Sequence, residues 1–197
     1  MVEHRLLTPA DYRRMPWRNG AGRTTEIAAH PPGAGLDDFD WRISVADVVK
    51  DGAFSRFAGV DRTIVLVAGA GMRLEGNGAA VLLAGLFETH AFSGDDAVGC
   101  TLLAGPVRDF NLMLRRGRGR GGVTVVRGTG ARVAPAESRL CYAAAGACEC
   151  LLAGHPPIAV PHDHALLVVG AAGSSPLVVN PLAADAVALV AAIDLAR

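Results

Sequence analysis

Apolar residues along this chain occur in short runs that end at glycine, proline, aspartate or asparagine. Within several runs apolar and polar positions alternate, which is the period-two pattern of a strand with one buried face. Short strands at regular spacing with turn residues between them predict an antiparallel sandwich or barrel. The predicted strands are 24–30, 41–48, 62–69, 71–76, 79–85, 87–93, 98–104, 107–115, 122–128, 131–134, 138–145, 147–153, 157–160, 164–170, 176–180 and 187–195.

A different local pattern stands at the start of the chain. Thr8-Pro9-Ala10-Asp11 combines an N-cap residue, a proline suited to a first helical turn and a carboxylate three residues after the cap. Pro16 ends any helix soon afterwards, because proline lacks the N–H that a helix needs. We therefore expect a short N-terminal helical turn before the first strand.

An Arg/Gly-rich segment at 115–122 is the stretch most like a linker, and it divides the predicted strands into two similar sets. The halves show no clear sequence repeat, but two such sets suggest two stacked barrels. We predict a first domain over 1–116 and a second over 117–197. The four arginines of this segment have no interleaved aromatic residues, which favours a solvated loop over a nucleic-acid contact.

The composition indicates a folded protein with many turns. Of the 197 residues 51% are hydrophobic, 24 are glycine and 11 are proline, enough for one large domain or two small ones. No apolar run reaches the ~18 residues of a membrane span, and the N-terminus has no apolar signal core. We expect a cytoplasmic protein without a membrane partner.

The charges balance, with 19 basic and 19 acidic residues, so no bulk field attracts the chain to nucleic acid. Lys50 is the sole lysine and lies in a polar segment, which argues against a Schiff-base mechanism. The four cysteines form no C-x-x-C pair and are expected to be free thiols. Cys148 and Cys150 alternate around Glu149, so we expect them to fill one face of a strand.

The least ordinary segment runs from Met15 to Ile27, where a glycine-punctuated turn leads into a predicted strand. Pro16 restrains the entry to this turn, and Trp17 offers a large flat surface with one N–H donor. Asn19 adds a donor and an acceptor. These side chains make the turn a candidate ligand contact.

This segment resembles the signature of the HutD/Ves family. Met-Pro-Trp-Arg-Asn-Gly-Ala-Gly at 15–22 is similar to the family's Met-Pro-Trp-Lys-Asn-Gly-Gly-Gly, with Arg18 and Ala21 as the departures. The matching segments cover roughly the first 115 residues, and the last 80 or so match only in general character. The further matching segments, in the family's order, are Thr25-Glu26-Ile27, Trp41-Arg42-Ile43-Ser44-Val45-Ala46, Gly52-Ala53-Phe54-Ser55 with Phe57-Ala58-Gly59, and Gly105-Pro106-Val107-Arg108-Asp109-Phe110-Asn111-Leu112-Met113.

The resemblance implies both a fold and a role. HutD/Ves proteins belong to the cupin superfamily, so it implies an all-β chain with two cupin-like (RmlC-like) antiparallel β-barrels. It also implies an accessory or regulatory role in bacterial histidine utilisation. The ligand implied is a small carboxylate from that pathway, such as urocanate or a formylglutamate-like compound.

Strand alternation places polar side chains in pairs on the family-like strands. Small barrels bind ligands inside, through a few convergent polar groups on an apolar wall. The alternative is that these pairs lie on the solvent-exposed faces of ordinary antiparallel strands and bind no ligand. The three pairs are Arg42 with Ser44, Asp109 with Asn111, and Thr24 with Glu26.

We expect these groups to bind a carboxylate in the first barrel. Arg42 would hold it through two parallel hydrogen bonds, and Arg62 is a second cation whose alternative is a surface pair with Asp61. Trp17 or Phe110 would cover the ligand body. The full candidate set is Trp17, Asn19, Thr24, Glu26, Arg42, Ser44, Arg62, Asp109, Phe110 and Asn111.

Two other functions stay open at this point. The chain could be a metal-independent cupin enzyme, an isomerase or hydrolase that uses Glu26 or Asp109 as its base. It could also be a protein-interaction module that binds no ligand. The residues show no Ser-His-acid grouping, so binding without catalysis is the preferred interpretation.

We predict no metal site and no cofactor. The usual cupin ligand set is His-x-His, a following glutamate and a later histidine. The one His-x-His here, His162-Asp163-His164, is followed by neither, and Pro161 before it indicates a loop or a strand edge. For partners we expect the small-molecule ligand and, because exposed sheet edges favour self-association, a homodimer.

Overall fold

The computed structural model describes residues 3–17, 20–170 and 175–196, and within them the protein is all-β, as predicted. These residues contain 19 strands and no helix, and hence none long and apolar enough to cross a membrane. The strands are β1 Glu3–Leu7, β2 Arg13–Pro16, β3 Gly22–His30, β4 Trp41–Val48, β5 Gly52–Ala53, β6 Val60–Ala68, β7 Met72–Gly76, β8 Ala79–Leu83, β9 Thr89–Ser93, β10 Gly99–Leu102, β11 Val107–Arg115, β12 Gly119–Val126, β13 Ala131–Val133, β14 Ser138–Ala145, β15 Cys148–Leu151, β16 Ile158–Val160, β17 Ala165–Val169, β18 Leu177–Pro181 and β19 Val187–Leu195.

The strands form two compact units. The first unit is Arg13–Arg118, and the second joins residues up to Tyr12 with those from Gly119 onward. This division differs from the predicted assignment of 1–116 to one domain, because β1 pairs antiparallel with β17 of the second unit. Sequence alternation could not reveal this strand, since only Leu7 of its five residues is buried.

The Arg/Gly-rich segment is shorter as a linker than its sequence suggested, because β12 already begins at Gly119. Two glycines of this strand, Gly119 and Gly121, have a structural reason. A Cβ at Gly121 would lie 2.5 Å from the carbonyl oxygen of Ala192 on β19. Close approach of the two backbones therefore places glycine inside a strand, where it is otherwise read as a loop signal.

Each unit consists of two antiparallel sheets. In the first unit the order is β2-β3-β4-β11-β6-β9 in one sheet and β5-β10-β7-β8 in the other. In the second unit the orders are β1-β17-β14-β19-β12 and β13-β18-β15-β16. Over the described residues these ladders remain separate sheets with free edges and do not close into the continuous barrels that were predicted. Apolar side chains from both sheets fill the core between them in each unit.

The predicted N-terminal helical turn is a single hydrogen-bonded turn and not a helix. The expected contacts do form: Asp11 N donates to the Thr8 carbonyl oxygen at 2.9 Å, and Thr8 N and Oγ1 donate to Asp11 Oδ2 at 2.8 and 2.9 Å. The helix does not continue, because Tyr12 donates its hydroxyl to the Asp163 carbonyl oxygen and Arg13 then begins β2.

Candidate functional site

The described residues of the family-like segment, 15–17 and 20–22, lie at the junction of β2 and β3. The Trp17 N–H donates to the Gly22 carbonyl oxygen at 3.0 Å, and Gly20, with a φ of 65°, donates to the Trp17 carbonyl oxygen at 3.1 Å. A Cβ at Gly22 would lie 2.4 Å from the Asp47 carbonyl oxygen and 3.1 Å from the indole ring. The indole Nε1 donates to Thr24 Oγ1 at 2.7 Å, which holds the ring beside β3.

Strand register brings the polar side chains of three strands to one face of the six-stranded sheet. Asn111 on β11 lies opposite Ser44 on β4. In a neighbouring row, Met113 lies between Arg42 on β4 and Arg62 on β6. Directly opposed residues of antiparallel strands point to the same face, so these side chains share one surface of the sheet.

A cavity of about 60 Å³ opens on this face, and a wider cleft of about 410 Å³ adjoins it. The two spaces share part of their walls, formed by Trp17, Thr24, Arg42, Ser55 and Phe57. The complete lining of the inner cavity is Trp17, Thr24, Arg42, Ser44, Ala46, Phe54, Ser55, Phe57, Arg62, Asp109, Asn111 and Met113.

Arg42 is only 4% exposed, yet its guanidinium is not saturated. Its Nε donates to Glu26 Oε2 at 2.6 Å, and its Nη1 lies 3.7 Å from the sulfur of Met113. Its Nη2 has no hydrogen-bond partner among the described residues. A buried guanidinium with a spare donor on a cavity wall can accept an anion.

Arg62 is also buried, and its hydrogen bonds go to neutral oxygens. Its Nε and Nη2 both lie 3.3 Å from Asn111 Oδ1, and its Nη1 lies 3.3 Å from the Ser55 carbonyl oxygen. Burial lowers the pKa of Arg62 to about 10, so the side chain keeps its charge at neutral pH. The alternative that the sequence offered for Arg62, a surface ion pair with Asp61, is wrong, because Asp61 pairs with Arg116.

Three phenylalanine rings surround the Arg62 guanidinium. Its central carbon lies 4.8 Å from the ring centroid of Phe92, 5.4 Å from that of Phe54 and 5.7 Å from that of Phe57. Aromatic faces attract a cation within about 6 Å. The rings thus stabilise the charge without neutralising it, and no described carboxylate forms an ion pair with Arg62.

Asp109 lies at the closed end of the polar row and is 1% exposed. Its Oδ1 accepts a hydrogen bond from Asn111 Nδ2 at 3.0 Å, whereas its Oδ2 has no partner in the part of the chain that the structure describes. Burial raises the pKa of Asp109 to about 6, although the Asn111 bond and the charge of Arg62 lower it. The carboxyl group is therefore partly protonated just below neutral pH.

These groups give the cavity a positive balance below about pH 6, where Asp109 is mostly protonated. Glu26 offsets Arg42, and when Asp109 is protonated the charge of Arg62 has no counterpart among the described side chains. A buried unpaired cation is costly, so the site favours an anion that supplies the missing charge. An arginine pair with hydroxyl and amide donors around it suits a carboxylate.

The structure brings together most of the residues predicted from sequence. Trp17, Thr24, Arg42, Ser44, Arg62, Asp109 and Asn111 line the cavity. Glu26 stands beside them as the partner of Arg42. Phe110 does not line the cavity, because strand alternation turns it to the other face of β11, where it is fully buried. Asn19 lies outside the described residues.

Sequence reasoning missed part of the wall. The cavity is also lined by Phe54, Ser55 and Phe57. These residues lie in the family-like segment 52–59, so the family resemblance could have identified them. Met113 could also have been identified from the sequence, because alternation places its side chain on the same face of the strand as that of Asn111. Nothing in the local sequence indicated Phe92 as a partner of Arg62, since the contact joins β9 to β6.

In the second unit, the His-x-His segment forms a turn just before β17. Asp163 has a φ of 62° and accepts a hydrogen bond from the Tyr142 hydroxyl. The Nδ1 atom of His164 lies 3.0 Å from the His162 carbonyl oxygen and donates to it. Local hydrogen bonds therefore occupy the segment, in keeping with the loop that Pro161 indicated.

Comparison with known proteins yields a consistent set of relatives. The profile of the HutD family matches residues 9–183. An uncharacterized 21.2 kDa protein in the hutC 3′ region of Pseudomonas putida is 43% identical over 156 residues, which cover 78% of this chain and 80% of that protein. The protein Ves of Citrobacter koseri is 42% identical over 119 residues, covering 58% of this chain and 61% of that protein.

Solved structures show the same relationship at the level of the fold. The structure of HutD from Pseudomonas fluorescens SBW25, in a formate condition, superposes with a TM-score of 0.84 at 33% identity, covering 98% of this chain and 99% of that one. A cupin 2 conserved barrel domain protein from Leptotrichia buccalis gives a TM-score of 0.55 at 9% identity over 93% of this chain and 96% of that one. The latter shows a likeness of fold alone.

Proposed function

The chain belongs to the HutD family, and from the site in its first unit we propose that it binds a small carboxylate. The observation that carries this proposal is the pair of buried guanidiniums on one cavity wall; among the described side chains, only Arg42 of the two has a carboxylate partner. A ligand carboxylate would accept from the spare donor of Arg42 and neutralise Arg62. Charge-assisted hydrogen bonds of this kind are about twice as strong as neutral ones.

The dimensions of the two spaces suit a small organic acid. The inner cavity of about 60 Å³ has room for a carboxylate head, while the adjoining cleft of about 410 Å³ takes a larger body. Ligand sites commonly measure ~300–1,000 Å³. Trp17 and Phe57 line both spaces and give the ligand body an apolar wall.

Family membership supports a role in histidine utilisation, as an accessory or regulatory protein and not as a pathway enzyme. The relatives carry the names HutD and hutC 3′ region. Urocanate and formylglutamate-like compounds both combine a carboxylate with a small body, which is the chemistry that the cavity and cleft accommodate. We take these two as the preferred ligands.

At the level of architecture, we propose that each unit is cupin-like, with two facing sheets in place of a closed barrel, so that the chain is a bicupin. Two facing antiparallel sheets in each unit and the likeness to a cupin barrel protein support this. The four free, buried cysteines are consistent with a cytoplasmic location. The homodimer remains a prediction.

A second candidate is a metal-independent enzyme with Asp109 as the base. Its raised pKa of about 6 and its place beside Arg62 favour this over Glu26, which is held by Arg42. The distinguishing result is turnover of a compound that binds. If neither binding nor turnover occurs, the protein-interaction alternative gains support.

A thermal-shift screen tests the binding proposal. Urocanate, formylglutamate, formate and histidine are compared at equal ionic strength, with formamide as the uncharged match for formate. A carboxylate at about a hundredfold its Kd stabilises the native state by ~2.7 kcal/mol. We expect its melting temperature to rise by about 5–10 °C. Equal shifts with formate and formamide, or no shift with any acid, would contradict the proposal.

A further inference from the structure

Three buried thiols converge in the second unit from two facing sheets. Cys141 lies on β14 of the five-stranded sheet, whereas Cys148 and Cys150 alternate on β15 of the four-stranded sheet. Their sulfur atoms all lie within 4.8 Å of one another, and the Cys141 and Cys148 sulfurs are 3.7 Å apart. None of the three residues is more than 1% exposed. We call this set the thiol trio.

The spacing of the thiol trio is that of sulfur ligands around one metal ion. With metal–sulfur bonds of ~2.3 Å, the sulfurs lie roughly 3.8–4.0 Å apart in tetrahedral or trigonal coordination. The Cys141 and Cys148 sulfurs, 3.7 Å apart, already have this separation. The Cys150 sulfur lies within 4.8 Å of both, so a small rotation about its side-chain torsion brings it to the same separation. Small adjustments of side-chain torsion would close the site.

The surroundings of the thiol trio select the kind of ion. The core around it is apolar and includes Val126, Leu166 and Val179. Among the described residues the potential metal group contains these three cysteines and no histidine or carboxylate. Zinc in structural sites takes four ligands, so it would lack one here. Soft thiolates select Cu(I), which is satisfied by two or three sulfurs.

We propose that Cys141, Cys148 and Cys150 form a binding site for a soft monovalent ion, Cu(I), in the core of the second unit. This departs from the sequence expectation that the chain has no metal site. It rests on the second unit alone and is independent of the carboxylate proposal.

Binding of the ion to the thiol trio balances in protons and charge. Each thiol that binds Cu(I) releases its proton to solvent. Binding by two sulfurs therefore releases two protons and leaves the trio with one negative charge, and binding by three releases three protons and leaves two. No electron is transferred.

Anaerobic titration of the fully reduced protein tests this site. The probe is Cu(I) complexed by bicinchoninate, whose colour reports the copper that the protein removes. We expect the wild-type chain to remove one equivalent. Cys148→Ser should hold Cu(I) at least tenfold more weakly, whereas Cys100→Ser, which removes the buried thiol of the first unit, should behave as wild type.

Further measurements separate loss of the site from loss of the fold. Circular dichroism compares the folding of Cys148→Ser with that of a second variant, Cys150→Ala. X-ray absorption at the copper edge should show an all-sulfur shell in the wild type. Removal of no copper by the wild type, retention of full affinity by folded Cys148→Ser and Cys150→Ala, or a shell of nitrogen and oxygen would each overturn the proposal.

Discussion

The Arg42→Met variant is expected to bind the stabilising carboxylate about ten- to a hundredfold more weakly than the wild-type chain. Methionine keeps an apolar side chain of similar length but removes the guanidinium that lines the cavity. A hydrogen bond to a charged group contributes ~1.5–3 kcal/mol. Loss of the one such bond that the spare donor of Arg42 makes therefore costs ~1.5–3 kcal/mol, and each 1.4 kcal/mol is a factor of ten in Kd. Isothermal titration calorimetry measures the change.

Two controls accompany this variant. Arg23→Met removes an exposed guanidinium of the same strand pair, which forms an ion pair with Asp47 at the surface, and it should bind as wild type. The double variant Arg42→Met with Glu26→Gln removes the carboxylate that would otherwise be left without its partner. An unchanged Kd in folded Arg42→Met would remove this arginine from the site.

The second large effect concerns the stability of the folded state as a function of pH. The pKa of Asp109 is about 6 in the folded chain, against 3.8 for an ordinary aspartate. The folded protein thus holds a proton that the unfolded chain has released. The stabilisation is complete below the unfolded pKa and is lost as the pH rises through about 6. Relative to Asp109→Asn, the wild type should lose about 2 kcal/mol of unfolding free energy between about pH 4 and pH 7.

Urea unfolding at several pH values measures this difference. The comparison with Asp109→Asn cancels the titration of other groups, and the asparagine keeps the size of the side chain. Asp47 and Arg62, whose charges act on Asp109 in opposite directions, are present in both proteins. A difference that stays constant from pH 4 to pH 7 would show that the buried carboxyl titrates as an ordinary aspartate.

The protonation of Asp109 also bears on the ligand. In its neutral form the carboxyl leaves the charge of Arg62 available to an incoming anion, whereas in its ionised form it competes with that anion. The pH dependence of stability and the proposed carboxylate site thus have the same physical origin.

Alternation was the most informative feature of the sequence. It predicted β4 and β11 at 41–48 and 107–115, which are the observed bounds. It also placed Arg42 with Ser44, and Asp109 with Asn111, on single faces of their strands, and the structure has these side chains on one cavity. Phe110 follows the same rule. It is one residue from Asp109, so alternation already placed its side chain on the opposite face of the strand, away from the cavity.

Contacts between distant segments could not be predicted in this way. The phenylalanines around Arg62 come from two segments, 52–59 and β9, and only folding brings them to one guanidinium. In the thiol trio, the spacing of Cys148 and Cys150 was readable, but Cys141 reaches them from the opposite sheet. The pairing of β1 with β17 likewise depends on residues more than a hundred positions away.

The most direct measurement of the central claim is a crystal structure of the protein with the carboxylate that stabilises it most. We predict that the carboxylate oxygens lie in the first-unit cavity, at ~2.7–2.9 Å from the guanidinium nitrogens of Arg42 and Arg62. A ligand bound at any other place, with these two arginines in contact only with protein groups, would contradict it.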